Sequence, residues 1–229
     1  MPPIWKRTID IVGAMAGLLL ASPIMALTAA FIKLVSPGPV MYRQSRVGIG
    51  RREFVFFKFR TMHVATTDSS HADYVRQLIA GNQTMEKLDE KDPRIIRGGS
   101  VIRKTCIDEL PQLYNILRGD MSLVGPRPCI PYEADEYLRW HAERFSVLPG
   151  LTGLWQVSGK NRLTFEQMIR LDITYQNRMS PWLDLWIILL TIPTVLGLVL
   201  DAVHRKLGSV GSTATVTTDT VVHLSSRQG

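Results

Sequence analysis

The sequence has little cysteine: Cys106 and Cys129 are the only two among 229 residues, so no disulfide framework is implied. They form no CxxC spacing, and the five histidines are scattered, which leaves a zinc site without support. With 17 glycines and 13 prolines the chain has no excess of either, and a wholly disordered polymer is excluded. No internal repeat is present. Acidic residues are scarce where basic ones gather. Residues 1–60 hold nine Lys and Arg against two Asp and Glu, and so account for the whole net charge of +7. The rest of the chain is neutral. A basic region can be a solubilising face or a nucleic-acid patch, but here it flanks a long apolar run. That setting favours an anionic membrane surface or an acidic ligand.

Formal charge is missing altogether from Ile11 to Ile32, a run of 22 residues. Such a run is long enough to cross a hydrocarbon core of roughly 30 Å. A signal peptide, with Lys6 and Arg7 as its basic start, and a buried core helix are the rivals. Ser22 and Pro23 sit near its middle, where a proline removes a backbone hydrogen bond and kinks the axis. Positive charge lies on both flanks: Lys6 and Arg7 before it, then Lys33, Arg43, Arg46, Arg51 and Arg52 after it. The positive-inside tendency assigns both flanks to the cytoplasmic face. A kinked helix that enters the membrane and returns satisfies both facts, and is favoured over a straight span.

Pro37-Gly38-Pro39 ends that segment. Val40–Val47 and Glu53–Arg60 then read as strands of a hairpin around Gly48-Ile49-Gly50. Alternation sets Phe54, Phe56, Lys58 and Arg60 on one face of the second strand, where Lys58 and Arg60 could meet a phosphate or simply face water. Residues 62–98 read as loop, with one weak helical stretch over Ala72–Ala80.

The most informative stretch runs from Arg103 to Gly119. Pro111 is tolerated in a first helical turn and Gly119 makes a natural C-terminal stop, so Asp108 and Glu109 fall at or just before a helix N-terminus. There the backbone N–H groups favour negative charge. Adjacent carboxylates downstream of Arg103 and Lys104 suit a divalent metal and phosphoryl chemistry, with one carboxylate as nucleophile. Taken alone, the pair also reads as ordinary first-turn acids.

Further on, Gly125-Pro126-Arg127-Pro128 holds Arg127 between two prolines, a rigidity useful to a phosphate ligand or a clamp. Glu133–Phe145 reads as one helix, with His141 on its apolar side as a packing or hydrogen-bonding histidine rather than a metal ligand. Pro149–Lys160 is a glycine-punctuated loop whose Trp155 lines a pocket or packs the core. Thr164 and Gln167 form a capping box. Asp172, on the helix that follows, is costly unless paired. Trp182–Leu200 is apolar apart from Asp184, with Pro193 inside, and suits the membrane interface better than a second transmembrane helix.

In their order and number these motifs resemble one family, the bacterial sugar transferases that are monotopic polyprenyl-phosphate glycosyl-1-phosphate transferases. The resemblance covers roughly Lys6 to Leu200. It rests on Lys6-Arg7-Thr8-Ile9-Asp10 with Ser22-Pro23, Pro37-Gly38-Pro39, Gln44-Ser45-Arg46-Val47-Gly48 and Lys58-Phe59-Arg60-Thr61-Met62. It continues through Arg103-Lys104-Thr105, Asp108-Glu109-Leu110-Pro111-Gln112, Met121 to Pro128, and Pro149 to Gln156.

The resemblance implies an α+β fold, mostly helical. A re-entrant membrane helix over 1–36, broken at Ser22-Pro23, precedes a cytoplasmic catalytic domain over 37–207. That domain carries a small β-hairpin and interfacial amphipathic helices including 182–200, and a loosely ordered tail covers 208–229. It also implies transfer of a sugar-1-phosphate from a UDP-sugar to undecaprenyl phosphate, with Mg²⁺ and release of UMP, at the bacterial inner membrane. Asp108 matches the family's nucleophile and contacts the metal, and Glu109 completes the pair. Lys58, Arg60, Arg103 and Arg127 are implied phosphate contacts, Arg127 alternatively supporting the membrane helix. Lys160 stands where many relatives carry arginine, with Arg162 nearby, and Asp172 matches an acidic position of the late motif. The implied form is the minimal catalytic one, without the added helices and accessory domain of larger relatives. A homodimer is left open. A metal-dependent hydrolase and a membrane scaffold are weaker classes, and nucleic-acid binding is the weakest.

Overall fold

The computed structural model describes residues 2–63, 92–159 and 163–211, without the side chains of 198–211. The weak helix read over Ala72–Ala80, and Lys160 and Arg162, lie outside the described residues, as do residues 212–229.

The charge-free run forms the greater part of α1 (Ile4–Val35). It is the one described helix long and apolar enough to cross a membrane. Pro23 lies within it, and the helix runs on through the Ser-Pro pair. Pro23 has no N–H for the carbonyl of Leu19 four residues back; the Ser22 hydroxyl donates to that carbonyl instead, at 2.8 Å. Both ends of α1 are bound to the same folded body. At the N-terminal end Arg7 donates to the carbonyls of Ile116 and Leu117. At the other end Ile32 is fully buried with Phe59, Ile96 and Ile102. Gly13 permits the close approach between them: a Cβ there would stand 2.5 Å from a methyl of Leu123. Val12, Met15, Leu19, Leu20, Leu27 and Leu34 remain exposed.

The hairpin forms as β1 (Met41–Val47) and β2 (Glu53–Phe59), paired antiparallel with Arg43 opposite Phe57. Both faces of β2 supply core residues, Phe56 beside Ala14 and Leu113, and Phe59 beside Ile32. After α2 (Gly99–Lys104), a 3₁₀ turn over Ile107–Glu109 leads into α3 (Gln112–Arg118). Pro111 caps α3 at the front and Gly119, at φ 89°, closes it behind. β3 (Ser122–Val124) pairs in parallel with β4 (Gly150–Thr152), a contact the sequence did not announce. A Cβ on Gly150 would sit 2.1 Å from the backbone nitrogen of Gly125, so only glycine fits.

Between them the expected single helix over Glu133–Phe145 is two pieces: α4 (Pro131–Asp135) and a 3₁₀ segment over Arg139–Ser146. Leu138 is extended, and its N–H donates to Nδ1 of His141, so the histidine caps the second piece. α5 (Leu154–Val157) buries Trp155 against Phe165, Met168 and Ile169, which makes it core. α6 (Phe165–Arg178) starts at the expected capping box, Gln167 N–H to Thr164 Oγ1 at 3.3 Å and Thr164 N–H to Gln167 Oε1 at 3.0 Å. α7 (Pro181–Gly211) continues past Leu200 and into the stretch expected to be loose. The polar residues after Leu200 include Asp201, Arg205 and Lys206, which do not break a helix. Trp182, Leu185, Trp186, Leu189, Ile192 and Leu196 form its exposed apolar face.

Candidate active site

Asp108 occupies the middle of the 3₁₀ turn that precedes α3 and is 1% exposed. Cys106, at φ 57°, makes the left-handed bend that turns the chain into it. Lys58 reaches across from β2: its Nζ is 2.6 Å from Oδ2 of Asp108 and 3.9 Å from Oε1 of Glu109. Glu109 stays partly open to solvent. Oδ1 of Asp108 has no hydrogen-bond donor among the described residues. Burial pushes the Asp108 carboxyl above the usual range; Lys58 pulls it back, and the neighbouring Glu109 adds to the rise. Arg103 adds a second, weaker downward pull from the end of α2.

The structure brings Asp108, Glu109, Lys58 and Arg103 together and takes two other sequence candidates elsewhere. Arg60 is buried, and its guanidinium donates to the carbonyls of Pro37 at 2.6 Å and Ser36 at 2.8 Å. It clamps the chain leaving α1, whereas Lys58 faces the two carboxylates. Asp172 is also buried, held by Arg144 at 2.6 Å. Burial pushes its carboxyl up to about 6, against the pull of Arg144. A buried carboxylate closed by an arginine braces the fold. Arg127 is exposed on its proline-flanked turn; its carbonyl accepts from Arg144 at 2.8 Å. It lines a narrow crevice with Val47, Gly48 and Phe145.

Sequence reasoning passed over three features. Arg144 was one cation among many; its role depends on Asp172, Tyr137 and Arg127 arriving from three other segments. Arg43 lies over the ring of Phe57 at 5.7 Å and lines a cavity of about 350 Å³. Leu18, Met25, Met41, Phe57, Pro111 and Tyr114 complete that wall. Leu18 and Met25 bracket the Ser-Pro pair of α1, Phe57 precedes Lys58, and Pro111 follows the dyad by two residues. The third is Asn115, fully buried at the edge of β2. Its position inside an apolar-striped helix was a signal.

Among the described residues no three His, Cys, Asp or Glu side chains gather in a metal-binding group. Asp108 and Glu109 remain the carboxylates able to share a cation with bound phosphates, since Mg²⁺ commonly takes one or two carboxylates and completes its shell from substrate and water. Oδ1 of Asp108 has two lone pairs and no donor among the described residues, so one can face such an ion while the other stays open.

The family described as bacterial sugar transferase matches residues 1–197. The galactosyl transferase CpsE of Streptococcus agalactiae serotype III (strain NEM316) is 45% identical over 194 residues, 84% of this chain and 42% of the relative. The chain therefore spans less than half the length of that relative. The UDP-glucose:undecaprenyl-phosphate glucose-1-phosphate transferase of Caulobacter vibrioides (strain ATCC 19089 / CIP 103742 / CB 15) is 41% identical over 199 residues, 83% of this chain and 69% of the relative. The exopolysaccharide production protein ExoY of Rhizobium meliloti (strain 1021) is 38% identical over 193 residues, 83% of this chain and 84% of the relative.

Proposed function

The chain belongs to the bacterial sugar transferase family, and from that premise we propose that it transfers a sugar-1-phosphate from a UDP-sugar to undecaprenyl phosphate. One observation carries the reading: a buried aspartate, charge-paired with a lysine, keeps one carboxylate oxygen without a donor among the described residues. A carboxylate whose lone pairs are all bonded is a poor nucleophile, whereas Oδ1 of Asp108 is free to attack.

In this reading Asp108 attacks the sugar-side phosphorus of the donor. The phosphorus–oxygen bond to UMP breaks, and UMP departs with that electron pair. The phosphosugar is then held as an acyl phosphate on Asp108. A phosphate oxygen of undecaprenyl phosphate attacks the same phosphorus, the carboxylate leaves, and the sugar-diphospholipid forms. Lys58 keeps Asp108 ionised before attack, and Lys58 and Arg103 offset charge on the phosphoryl oxygens. Asp108 and Glu109 would hold Mg²⁺ together with the donor's phosphates, and the ion would supply further charge neutralisation there.

The acceptor is a lipid, and the apolar cavity with Arg43 on its wall supports its approach beside the dyad. Both ends of α1 are tied to one body, which supports entry and return on the cytoplasmic face of the bacterial inner membrane. The exposed apolar face of α7 supports a monotopic seat at the interface.

The test is a UMP-release panel: purified protein in detergent or lipid, Mg²⁺, undecaprenyl phosphate and a series of UDP-sugars, with Asp108→Asn alongside. Release with one donor, dependent on acceptor for turnover and lost in the variant, is expected. Release undiminished in Asp108→Asn sinks the nucleophile assignment, and acceptor-independent turnover indicates transfer to water.

A further inference from the structure

Lys58 is useful only if β2 is held at a fixed distance from the turn that carries Asp108, and a two-stranded hairpin does not hold itself. Its outer edge is the weak point. Arg60 N–H bonds to the Val40 carbonyl, so alternation along the ladder turns the peptide groups of Val55 and Phe57 away from β1. Those groups meet Asn115. The side-chain N–H₂ of Asn115 donates to the carbonyl of Val55 at 2.7 Å, and its Oδ1 accepts from the N–H of Phe57 at 3.1 Å. One carboxamide thus offers β2 the donor and acceptor that a third strand would offer.

Asparagine is a poor choice for this place on local grounds. It sits inside α3 and is 0% exposed, where a leucine would give better helix propensity and more apolar burial. The second N–H of its amide reaches Oδ2 of Asp120 at 3.2 Å, so both donors are used. Its own carbonyl accepts from Gly119 and Asp120 at the helix end. The side chain ties β2 to α3 while the backbone carbonyl closes the helix end. The spliced residue Phe57 directly precedes Lys58, and α3 begins three residues after Glu109. Phe56 packs on Leu113 and Ile116 of α3, and Asn115 adds the polar link between the strand that carries the ammonium and the helix that follows the carboxylate.

We infer that Asn115 is a positioning residue: by splicing the open edge of β2 onto α3, it sets where Lys58 stands against Asp108. The inference rests on the proposed roles of Lys58 and Asp108, and two of its three tests need no turnover. In the full-length protein in detergent, the Phe57 amide exchanges hydrogen as slowly as the amides bonded between β1 and β2. Exchange at the rate of an open edge overturns the splice. In Asn115→Ala, acylation of Lys58 by an amine-directed reagent, read by peptide mass spectrometry against the exposed Lys33, rises severalfold. Unchanged labelling overturns the placement of Lys58.

The third test is a double-mutant cycle on UMP release. Asn115→Ala lowers kcat by about 10–100-fold with the donor KM nearly unmoved, as expected for a misplaced catalytic group. In a Lys58→Ala background the same substitution has little further effect. Losses that multiply across the two backgrounds show a general packing role and overturn the inference. If Asn115→Ala fails to fold, Asn115→Asp enters the same cycle, since it keeps the shape and can accept from Phe57 but cannot donate to Val55. If no donor supports UMP release, the functional reading fails while the exchange and labelling results still decide the splice.

Discussion

Lys6 and Asp184 join the first turns of α1 and α7, while Lys58 and Asp108 join β2 to the turn before α3; both aspartates are 1% exposed. In the first pair both carboxylate oxygens have a donor. Lys6 also donates to the Val124 carbonyl at 2.8 Å, and Asp184 also accepts from the Tyr175 hydroxyl at 2.7 Å. In the second pair Lys58 is 24% exposed and one oxygen of Asp108 has no donor among the described residues. The same two residue types therefore make a closed joint in one place and an open, chargeable one in the other. Burial alone does not separate the two pairs; the open lone pair of Asp108 beside a solvent-reaching lysine does.

Substituting the two aspartate partners separates these cases most sharply. Asp108→Asn is expected to lower UMP release by at least about 10³-fold, as loss of a nucleophile does. Its thermal stability is expected to hold or rise. The sign follows from the raised pKa: a carboxyl that folding makes harder to ionise favours the fold when protonated, and that benefit is lost as pH climbs past its folded pKa. At neutral pH the ionised Asp108 is a liability to stability, and the neutral amide removes it. A large fall in melting temperature would place Asp108 among the scaffold pairs.

Lys6→Met acts the other way round. It leaves Asp184 buried without its counter-charge and is expected to cost about 3–5 kcal/mol. The double change Lys6→Met with Asp184→Leu is expected to recover much of that in chemical denaturation. Equal instability of single and double variants breaks the comparison, because it would mean that the pair itself, and not the orphaned charge, matters.

How much of this was legible beforehand follows the same division. Features written in consecutive residues were readable: the charge-free run that becomes most of α1, the hairpin around Gly48, the Pro111–Gly119 frame that puts Asp108 before α3, and the Thr164–Gln167 box. Features that need chain segments to meet were not. Arg60 looked like Lys58 because strand alternation gave them one face, yet the carbonyls of Ser36 and Pro37 claimed it. Asp172 could be read as needing a partner, but nothing local named Arg144. The split of Glu133–Phe145 depends on His141 capping Leu138, a choice that helical periodicity conceals.

The Lys58 side of the open pair gives a smaller effect with a definite direction. Lys58→Gln removes the main group that opposes the burial-driven rise of Asp108. The ionised carboxylate is the nucleophile, so activity falls as pH drops through its pKa; without Lys58 that acid limb moves to higher pH. A profile measured on kcat/KM for the donor checks it. An unmoved limb, or one moved to lower pH, would falsify the coupling of Lys58 to Asp108.

The smallest effect concerns the backbone beneath the open pair. Cys106 holds φ 57° and ψ 16°, a left-handed conformation that costs a non-glycine residue about 1–3 kcal/mol. The closed pair has no counterpart to this, since Lys6 and Asp184 both sit in helices. Cys106→Gly releases the strain but adds freedom to the unfolded chain, worth about 0.5–1 kcal/mol in the opposite direction. The net change is expected to be a stabilisation of about 1 kcal/mol, seen as a small rise in melting temperature. The same substitution loosens the approach to Ile107-Asp108-Glu109, so kcat falls modestly while stability rises. That opposition distinguishes a turn strained for positioning from one strained by accident. A drop in melting temperature would instead assign the Cys106 side chain a packing role that outweighs its backbone strain.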